Sequence, residues 1–214
     1  MAGWFISFEG VEGSGKTTQI RLAGQFLQNK GYPVVMTQEP GGTPLGDRIR
    51  EILLNRGGFD ISGNAEVFLF AAARAQHTDS VILPALEKGE VVLCDRFSDA
   101  TVAYQAYGRG LPLEAVREVC RLASRGISPH LTLLFDLPVE TGLERAFRRI
   151  ASRDEDRRED RFEREHLDFH RRIREGYLSI AREEPHRVKV IDASRDIDST
   201  RREVGFILSS FLGG

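Results

Sequence analysis

The segment with the clearest chemistry is residues 10–17, GVEGSGKT, which fits the pattern G-x-x-x-x-G-K-[ST] of a phosphate-binding loop. Glycines let backbone N–H groups turn inward around a polyphosphate, and a following helix adds the positive end of its dipole. In such a loop Lys16 binds the β- and γ-phosphates, and the hydroxyl of Thr17 is a ligand for Mg²⁺. The alternative is a glycine turn that only begins a helix. The segment therefore predicts a nucleoside triphosphate site, but not the reaction that follows.

A second charged signal is the pair Asp95-Arg96, which directly follows the apolar run 91–94. A carboxylate at the end of a buried strand suits Mg²⁺ beside a triphosphate, and a guanidinium fork can clamp a second phosphoryl group at two points. The alternative is a salt bridge at a strand end. A GTP-driven switch would carry a base-reading Asn-Lys-x-Asp, but Asn29-Lys30 is followed by Gly-Tyr.

A turn and the helix predicted after it supply two more polar groups. Residues 39–43, EPGGT, place the Glu39 carboxylate and flexible backbone at the end of the second apolar run. Arg50 lies on the following helix. The alternatives are a plain turn and an exposed helical arginine, so neither residue specifies a function alone.

Side chains that suit a nucleobase occur in two helical segments. Phe70, Arg74 and His77 are spaced to share one helix face, where a ring and a guanidinium group could stack on and hydrogen-bond a base. The alternative puts Phe70 in the core with the Arg74 stem beside it, and His77 is expected at the surface. Further on, Tyr104 is a bulky wall and Gln105 offers an amide donor and acceptor, unless both are ordinary helix-surface residues.

The elements that must position these groups are five short apolar runs separated by segments with helical period. The runs are residues 4–8, 34–36, 91–94, 131–135 and 188–191. Each is continuous rather than alternating, which is typical of strands covered on both faces. The alternation predicts a parallel sheet with helices on both sides, and ligands then collect at the carboxyl ends of the strands.

The bulk composition excludes several classes of protein. The chain has 214 residues, 41% hydrophobic and 29% charged, with a formal net charge of −2, so generic nucleic-acid binding is disfavoured. Cys94 and Cys120 form no disulfide framework or metal spacing, and Cys94 is expected to be a buried small hydrophobe. No apolar run approaches the length of a membrane span, and we expect no leader peptide, because the first 30 residues lack a basic stretch followed by a signal-type apolar core. We expect a cytoplasmic protein.

Residues 144–175 are unusually rich in both arginine and acidic residues. Because the charges nearly balance, the segment is not a polybasic tail, and a solvated pair of helices with i,i+4 charge partners is expected. The stretch 152–160 is too polar to pack and is expected to be mobile.

Taken in order, these motifs resemble thymidylate kinase, the nucleoside monophosphate kinase family that makes dTDP from dTMP. The resemblance covers nearly the whole chain and rests on residues 10–18, 39–43, 95–97, 103–105, 108–110, 160–163 and 191–193. It implies an α/β, three-layer P-loop NTPase fold with a five-stranded parallel sheet flanked by helices. It also implies one kinase domain over residues 1–214, in which a short helical lid at about 147–160 is an insertion.

The resemblance implies a full set of site residues. The ATP contacts are expected at Gly10, Val11, Glu12, Gly13, Ser14, Gly15, Lys16, Thr17, Thr18, Arg145 and Ala193. The dTMP contacts are expected at Glu12, Glu39, Arg50, Phe70, Arg74, Arg96, Thr101, Tyr104 and Gln105. The implied catalytic residues are Lys16, Asp95, Arg96 and Arg153, and the implied Mg²⁺ ligands are Thr17 and Asp95.

By the same similarity, Phe70 stacks on thymine, Arg74 and Gln105 read its edge, and Thr101 lies in the same base-reading stretch. Tyr104 crowds the sugar C2′ and excludes ribose. The other assignments are Arg50 and Arg96 to the acceptor phosphate, Glu12 to the sugar 3′-hydroxyl, and Arg145 with the turn at 192–194 to adenine.

The family carries its catalytic arginine either in the phosphate loop or in the lid. Here the variable loop positions 11–14 hold no arginine, whereas the lid holds several, so the chain resembles the bacterial, lid-arginine type. Arg153 is the first choice for this residue, followed by Arg157 and Arg149.

The implied reaction is Mg²⁺-dependent transfer of the ATP γ-phosphoryl group to dTMP in dTTP synthesis. It requires no general base, because the acceptor oxygen is already anionic near neutral pH. Family members are usually homodimers, and the apolar helix around residues 67–73 is a candidate interface. Two alternatives stay open: a kinase for another pyrimidine monophosphate such as dUMP or CMP, and a non-catalytic NTP-driven switch.

Overall fold

The computed structural model describes residues 3–54, 60–151 and 161–213, and its centre is a five-stranded parallel sheet flanked by helices. The strands are Trp4–Gly10 (β1), Val34–Gln38 (β2), Val91–Asp95 (β3), Leu131–Asp136 (β4) and Val188–Asp192 (β5). All five coincide with the apolar runs found in the sequence. Their spatial order is β2-β3-β1-β4-β5, so the phosphate loop leaves the central strand.

The burial of the strands explains why they read as continuous apolar runs. Phe5, Ile6 and Phe8 of the central strand are all fully buried, as expected where helices cover both faces of a parallel sheet. The edge strands are more open, and Met36 of β2 and Val190 of β5 are about half exposed. Parallel register sets Phe8 beside Asp95, so the ends of β1 and β3 lie at one level.

Helices form between the strands as the apolar periodicity predicts. Those in the described part of the chain are Lys16–Asn29 (α1), Pro44–Leu54 (α2), Gly63–His77 (α3), Leu83–Glu87 (α4), Ser98–Thr101 (α5), Leu113–Ala123 (α6), Val139–Ala151 (α7), Leu167–Glu183 (α8) and Ile197–Leu212 (α9). Two π-helical segments, Thr78–Ile82 and Val102–Gly108, continue α3 and α5. The second of these carries the predicted Tyr104 and Gln105.

Two glycines allow α8 to approach this π-helical segment closely. A Cβ atom on Gly176 would lie 2.7 Å from the Tyr107 ring, and one on Gly108 would lie 2.7 Å from the Phe169 ring. Any larger residue would force the two elements apart. The close packing brings α8 to the carboxyl edge of the sheet, beside the end of β3.

The charge-rich stretch of the sequence folds as expected where the structure describes it, since it contributes the end of α7 and the start of α8. Most of the expected lid at 147–160, with Arg153 and Arg157, lies outside the described residues. Cys94 and Cys120 are both buried and unpaired by disulfide. Among the described residues, we find no helix with the length and apolar character needed to cross a membrane.

Candidate active site

A cavity of about 440 Å³ opens at the carboxyl edge of the sheet. Its lining draws together segments that are far apart in the sequence. Among the lining residues are Glu12, Gly13, Lys16, Thr17, Glu39, Arg50, Phe70, Arg74, Asp95, Arg96, Thr101, Tyr104, Gln105, Arg149, Phe162 and Glu163. The cavity therefore collects all nine predicted dTMP contacts beside the phosphate loop.

The phosphate loop is shaped by three glycines with positive φ, of which Gly10 has φ 140°. Gly13 has φ 68° and Gly15 has φ 85°, a region that residues with a Cβ rarely adopt. A Cβ on Gly13 would also lie 2.0 Å from the carbonyl oxygen of Gly142. The backbone conformation therefore explains why glycines occupy these positions of the motif. Helix α1 begins directly after Gly15.

Lys16 is buried within the loop itself. Its Nζ donates to the carbonyl oxygens of Gly10 at 2.9 Å and Val11 at 2.8 Å, and to Ser14 Oγ at 3.2 Å. Burial, together with the positive charge of Arg96, lowers the pKa of Lys16 to about 8. The ammonium group is thus in place to meet an anion, but its charge depends on pH near neutrality.

The predicted metal ligands are adjacent. Thr17 Oγ1 donates to Asp95 Oδ2 at 3.1 Å, which joins the start of α1 to the tip of β3. A hydroxyl and a carboxylate fit Mg²⁺, which takes one or two protein oxygens together with phosphate oxygens and water. Within residues 3–54, 60–151 and 161–213, no group of three or more His, Cys, Asp or Glu side chains is arranged to hold a metal by itself.

Arg96 is held in an unusual backbone conformation at the end of β3. Its φ is 69°, a region costing roughly 1–3 kcal/mol for a residue other than glycine. Its guanidinium group donates to the Tyr177 hydroxyl at 2.9 Å, lies 3.4 Å from Glu12 Oε1 and stacks on the Tyr104 ring, 4.9 Å from its centroid. These contacts fix both the position and the direction of the cation.

The hydroxyl of Tyr177 connects Arg96 to a buried carboxylate that the sequence did not single out. It donates to Glu9 Oε2 at 2.9 Å, while Glu9 Oε1 accepts from the Phe97 N–H at 2.7 Å. Burial, reinforced by the charge of Asp99, raises the pKa of Glu9 to about 8. The position of Glu9 at the end of an apolar run was the one sequence feature that could have indicated a site residue. No such feature marked Tyr177 on α8.

Glu12 of the loop contacts side chains of the second π-helical segment and of α8. Tyr104 donates to its Oε1, and His170 Nδ1 lies 3.3 Å from its Oε2. Burial alone would raise the pKa of Glu12, but His170 and the Arg96 charge outweigh it and lower the pKa to about 2. Glu12 is therefore an anion in a pocket of donors. His170 is another residue that sequence reasoning missed.

Arg74 is only 2% exposed, and its guanidinium group is fixed from three sides. Nε donates to Glu39 Oε2 at 2.8 Å, one NH₂ group to Thr101 Oγ1 at 2.9 Å, and the other to Cys120 Sγ at 3.4 Å. The alternative of an arginine stem leading to solvent is therefore wrong. Such a buried, tightly held donor can fix the orientation of a polar ligand.

The expectation that His77 lies at the surface is also wrong, because this residue is fully buried. Its Nδ1 lies 2.9 Å from Glu39 Oε1, and its Nε2 lies 2.6 Å from Thr37 Oγ1. Because a carboxylate only accepts, Nδ1 must carry the hydrogen. Both carboxylate oxygens of Glu39 are therefore occupied, one by His77 and one by Arg74.

Two aromatic rings bound the space in front of Arg74. Phe70 and Phe162 have ring centroids 6.3 Å apart with planes tilted by 41°, and Tyr104 meets Phe162 edge to face at 5.4 Å. Tyr104 and Gln105 are buried, so the alternative of ordinary surface positions is wrong. The rings of Phe70, Phe162 and Tyr104 together form a slot of the kind that accepts a planar base. We call this space the base slot.

Three other predicted residues lie around this centre. Arg50 donates to the Pro40 carbonyl oxygen at 3.0 Å, next to the cavity that both line. Arg145 donates to the Ala193 carbonyl oxygen at 3.1 Å, so the two residues expected near adenine meet each other. Arg149 also lines the cavity and lies 3.7 Å from Glu163 Oε1.

Comparison with known proteins gives one consistent result. The family described as Thymidylate kinase matches residues 8–204. The thymidylate kinase of Syntrophus aciditrophicus (strain SB) is 57% identical over 201 residues, covering 94% of this chain and 92% of the relative. That of Geotalea daltonii is 50% identical over 212 residues, covering 99% of both chains. The crystal structure of thymidylate kinase from Ehrlichia chaffeensis superposes with a TM-score of 0.76 at 32% identity, covering 98% of this chain and 99% of that one.

Proposed function

The chain belongs to the thymidylate kinase family, and from that premise we propose that the cavity at the carboxyl edge of the sheet is where ATP and dTMP meet. The enzyme is an ATP:dTMP phosphotransferase of the nucleoside monophosphate kinase type, and its product dTDP serves dTTP synthesis. The observation that carries the proposed site is that Lys16 and Arg96 line one cavity. Two separate cations suit two phosphate groups that must be brought end to end.

On the donor side, residues 10–18 hold the ATP phosphates, and Arg145 with Ala193 borders the adenine. The left-handed glycines and the buried Lys16 support this assignment. Thr17 and Asp95 hold Mg²⁺, whose chemistry when bound is to neutralise charge on the phosphates.

On the acceptor side, Phe70 stacks on thymine while Arg74, Thr101 and Gln105 face the edge of the base. Tyr104 crowds the sugar C2′. These roles are supported because all five residues line one cavity, where Phe70 is partly buried and the other four are buried.

The remaining acceptor contacts concern the sugar and the phosphate. Glu12 receives the sugar 3′-hydroxyl, and Arg50 and Arg96 clamp the 5′-phosphate. Glu39 contributes to dTMP binding by holding the Arg74 guanidinium group with one carboxylate oxygen, while His77 holds the other oxygen.

Catalysis then consists of positioning and charge neutralisation. Lys16, Asp95 and Arg96 align the two phosphates, and no side chain needs to remove a proton because the acceptor oxygen is already anionic. An arginine from the segment 147–160 supplies the final positive charge, with Arg153 as first choice, followed by Arg157 and Arg149. Of these three, only Arg149 lies among the described residues. Such an arginine contributes about 10³–10⁵ in rate in related phosphoryl transfers.

The protein acts as a cytoplasmic homodimer with one kinase domain over residues 1–214. Phe68 on α3 supports the dimer. This large apolar side chain is 63% exposed, and it lies in the segment 67–73 that the sequence analysis gives as a candidate interface. Sedimentation velocity of the wild type and Phe68→Glu tests this point. A dimer that Phe68→Glu converts to monomer is expected, and a monomeric wild type would contradict it.

A coupled assay of ADP release tests the activity. We expect rapid turnover with ATP, Mg²⁺ and dTMP, slower turnover with dUMP, and little with CMP. The thymine 5-methyl group contributes only about 1 kcal/mol of contact, so rejection of dUMP is expected to be modest. Slow ATP hydrolysis that no monophosphate stimulates would contradict the proposal and indicate an NTP-driven switch.

A further inference from the structure

The carboxylate of Glu66 is a fully buried anion that none of the roles above uses. It lies in the first turn of α3. Its Oε1 accepts from Gln105 Nε2 at 2.9 Å and from Arg109 Nε at 3.3 Å. Its Oε2 accepts from Arg161 at 2.6 Å and from a second Arg109 nitrogen at 3.4 Å. Two guanidinium groups thus supply the compensating charge that a buried carboxylate requires.

This anion determines which way the Gln105 amide points. A carboxylate accepts hydrogen bonds and donates none, so only the NH₂ side of the amide can face Glu66. A flipped amide would set oxygen against oxygen in a buried site, which is strongly unfavourable. The Gln105 oxygen is therefore turned away from Glu66. It is buried and has no hydrogen-bond partner within the described part of the chain, while Gln105 lines the cavity.

An oriented acceptor and an oriented donor that line the same cavity can distinguish one class of pyrimidine from another. Arg74 uses three of its five N–H groups on Glu39, Thr101 and Cys120, which leaves donors for a ligand. Thymine and uracil present an acceptor at O4 beside a donor at N3–H, whereas cytosine presents a donor at the 4-amino group beside an acceptor at N3. Arg74 and the Gln105 oxygen match the first pattern and oppose the second.

We propose that Glu66 is a positioning residue that, by fixing the Gln105 amide, makes the site select pyrimidines carrying N3–H over cytosine. The inference rests on the proposed base site. Glu66 touches Gln105 and not the base, so its effect is on selectivity between substrates. Replacing it with glutamine would remove the constraint, because a glutamine can offer either its oxygen or its nitrogen to Gln105.

The experiment compares kcat/KM for dTMP, dUMP and dCMP in the wild type and in Glu66→Gln. We expect the preference for dTMP over dCMP to fall at least about tenfold, equivalent to about 1.4 kcal/mol. The preference for dTMP over dUMP should change less than about twofold, because both bases keep N3–H and O4. A parallel loss with all three substrates would indicate a merely structural role and overturn the proposal.

A matched control is Glu165→Gln, since Glu165 also binds Arg109, at 2.7 Å, but does not contact Gln105. The preference of Glu165→Gln for dTMP over dCMP should equal that of the wild type. If this preference fell as far as in Glu66→Gln, the proposal would be overturned. Should Glu66→Gln fail to fold, Gln105→Met tests the same acceptor. It should lower the preference for dTMP over dCMP at least about tenfold, and an unchanged preference would overturn the proposal. A wild type without dTMP kinase activity would instead refute the proposed function.

Discussion

The phosphate loop and the base slot face the same cavity, but they are built in opposite ways. Lys16 in the loop bonds to partners 6, 5 and 2 residues away in the sequence. Arg74 in the slot bonds to partners 35, 27 and 46 residues away. The loop therefore depends on local backbone conformation, whereas the slot depends on the complete fold. We therefore expect ATP binding by the loop to depend on the charge of Lys16. We expect dTMP binding by the slot to depend also on residues that support it without touching the ligand.

The largest effect is expected from Arg96, at the boundary between the two regions. Arg96→Ala removes the guanidinium group that clamps the acceptor phosphate, and we expect dTMP kinase activity to fall about 10²–10³-fold. ATP binding, measured by calorimetry, should change little because the loop is built locally. Wild-type-like turnover in this variant would show that Arg96 does not clamp the acceptor phosphate.

Tyr177→Phe tests whether Arg96 needs distant support. The substitution deletes one hydroxyl that accepts from Arg96 and donates to Glu9. We expect kcat/KM for dTMP to fall about 20-fold, or about 1.8 kcal/mol, as for a lost hydrogen bond to a charged group. KM for ATP should remain at the wild-type value. Unchanged steady-state kinetics with dTMP would show that the strained backbone of Arg96 suffices.

The local character of the loop makes a prediction about pH. Because the pKa of Lys16 is lowered to about 8, its positive charge is present below that pH and is lost above it. We expect kcat/KM for ATP at saturating dTMP to fall about tenfold between about pH 7 and about pH 9. Lys16→Arg keeps its positive charge over this range, so its kcat/KM for ATP should not fall between these pH values. A flat wild-type profile would contradict the assignment.

The smallest effect is expected from His77, which supports the base slot through Glu39. His77→Phe deletes one of the two donors that hold Glu39, and we expect KM for dTMP to rise about fivefold, or about 1 kcal/mol, with KM for ATP unchanged. Thr78→Val is a matched control, because Thr78 is equally buried and its hydroxyl has no partner among the described residues. Equal kinetic effects in both variants would show that packing, and not the His77–Glu39 contact, is responsible.

The same contrast explains how much of the molecule the sequence predicts. The strands, the loop and Asp95-Arg96 are contiguous patterns, so apolar runs and glycine spacing were enough to find them. Phe70 and Arg74 were placed by helical spacing. His77 was misjudged because its partners, Glu39 and Thr37, lie on another element and become neighbours only in the folded chain.

Glu66, Tyr177 and His170 were missed for a related reason. Each lies on a helix in a setting rich in charged or aromatic residues, where its type is ordinary. What sets each apart is full or nearly full burial combined with a specific polar partner on another part of the chain. Periodicity can predict that a position is buried, but it cannot say which distant side chain will satisfy it.

The most direct test of the central claim is a crystal structure with dTMP and a non-hydrolysable ATP analogue bound together. We expect the thymine ring against Phe70, the dTMP phosphate in hydrogen-bond contact with Arg96, and the ATP phosphates wrapped by residues 10–17 in line with the dTMP phosphate. A pyrimidine nucleotide bound away from the tip of β3, with Arg96 free of phosphate, would contradict it.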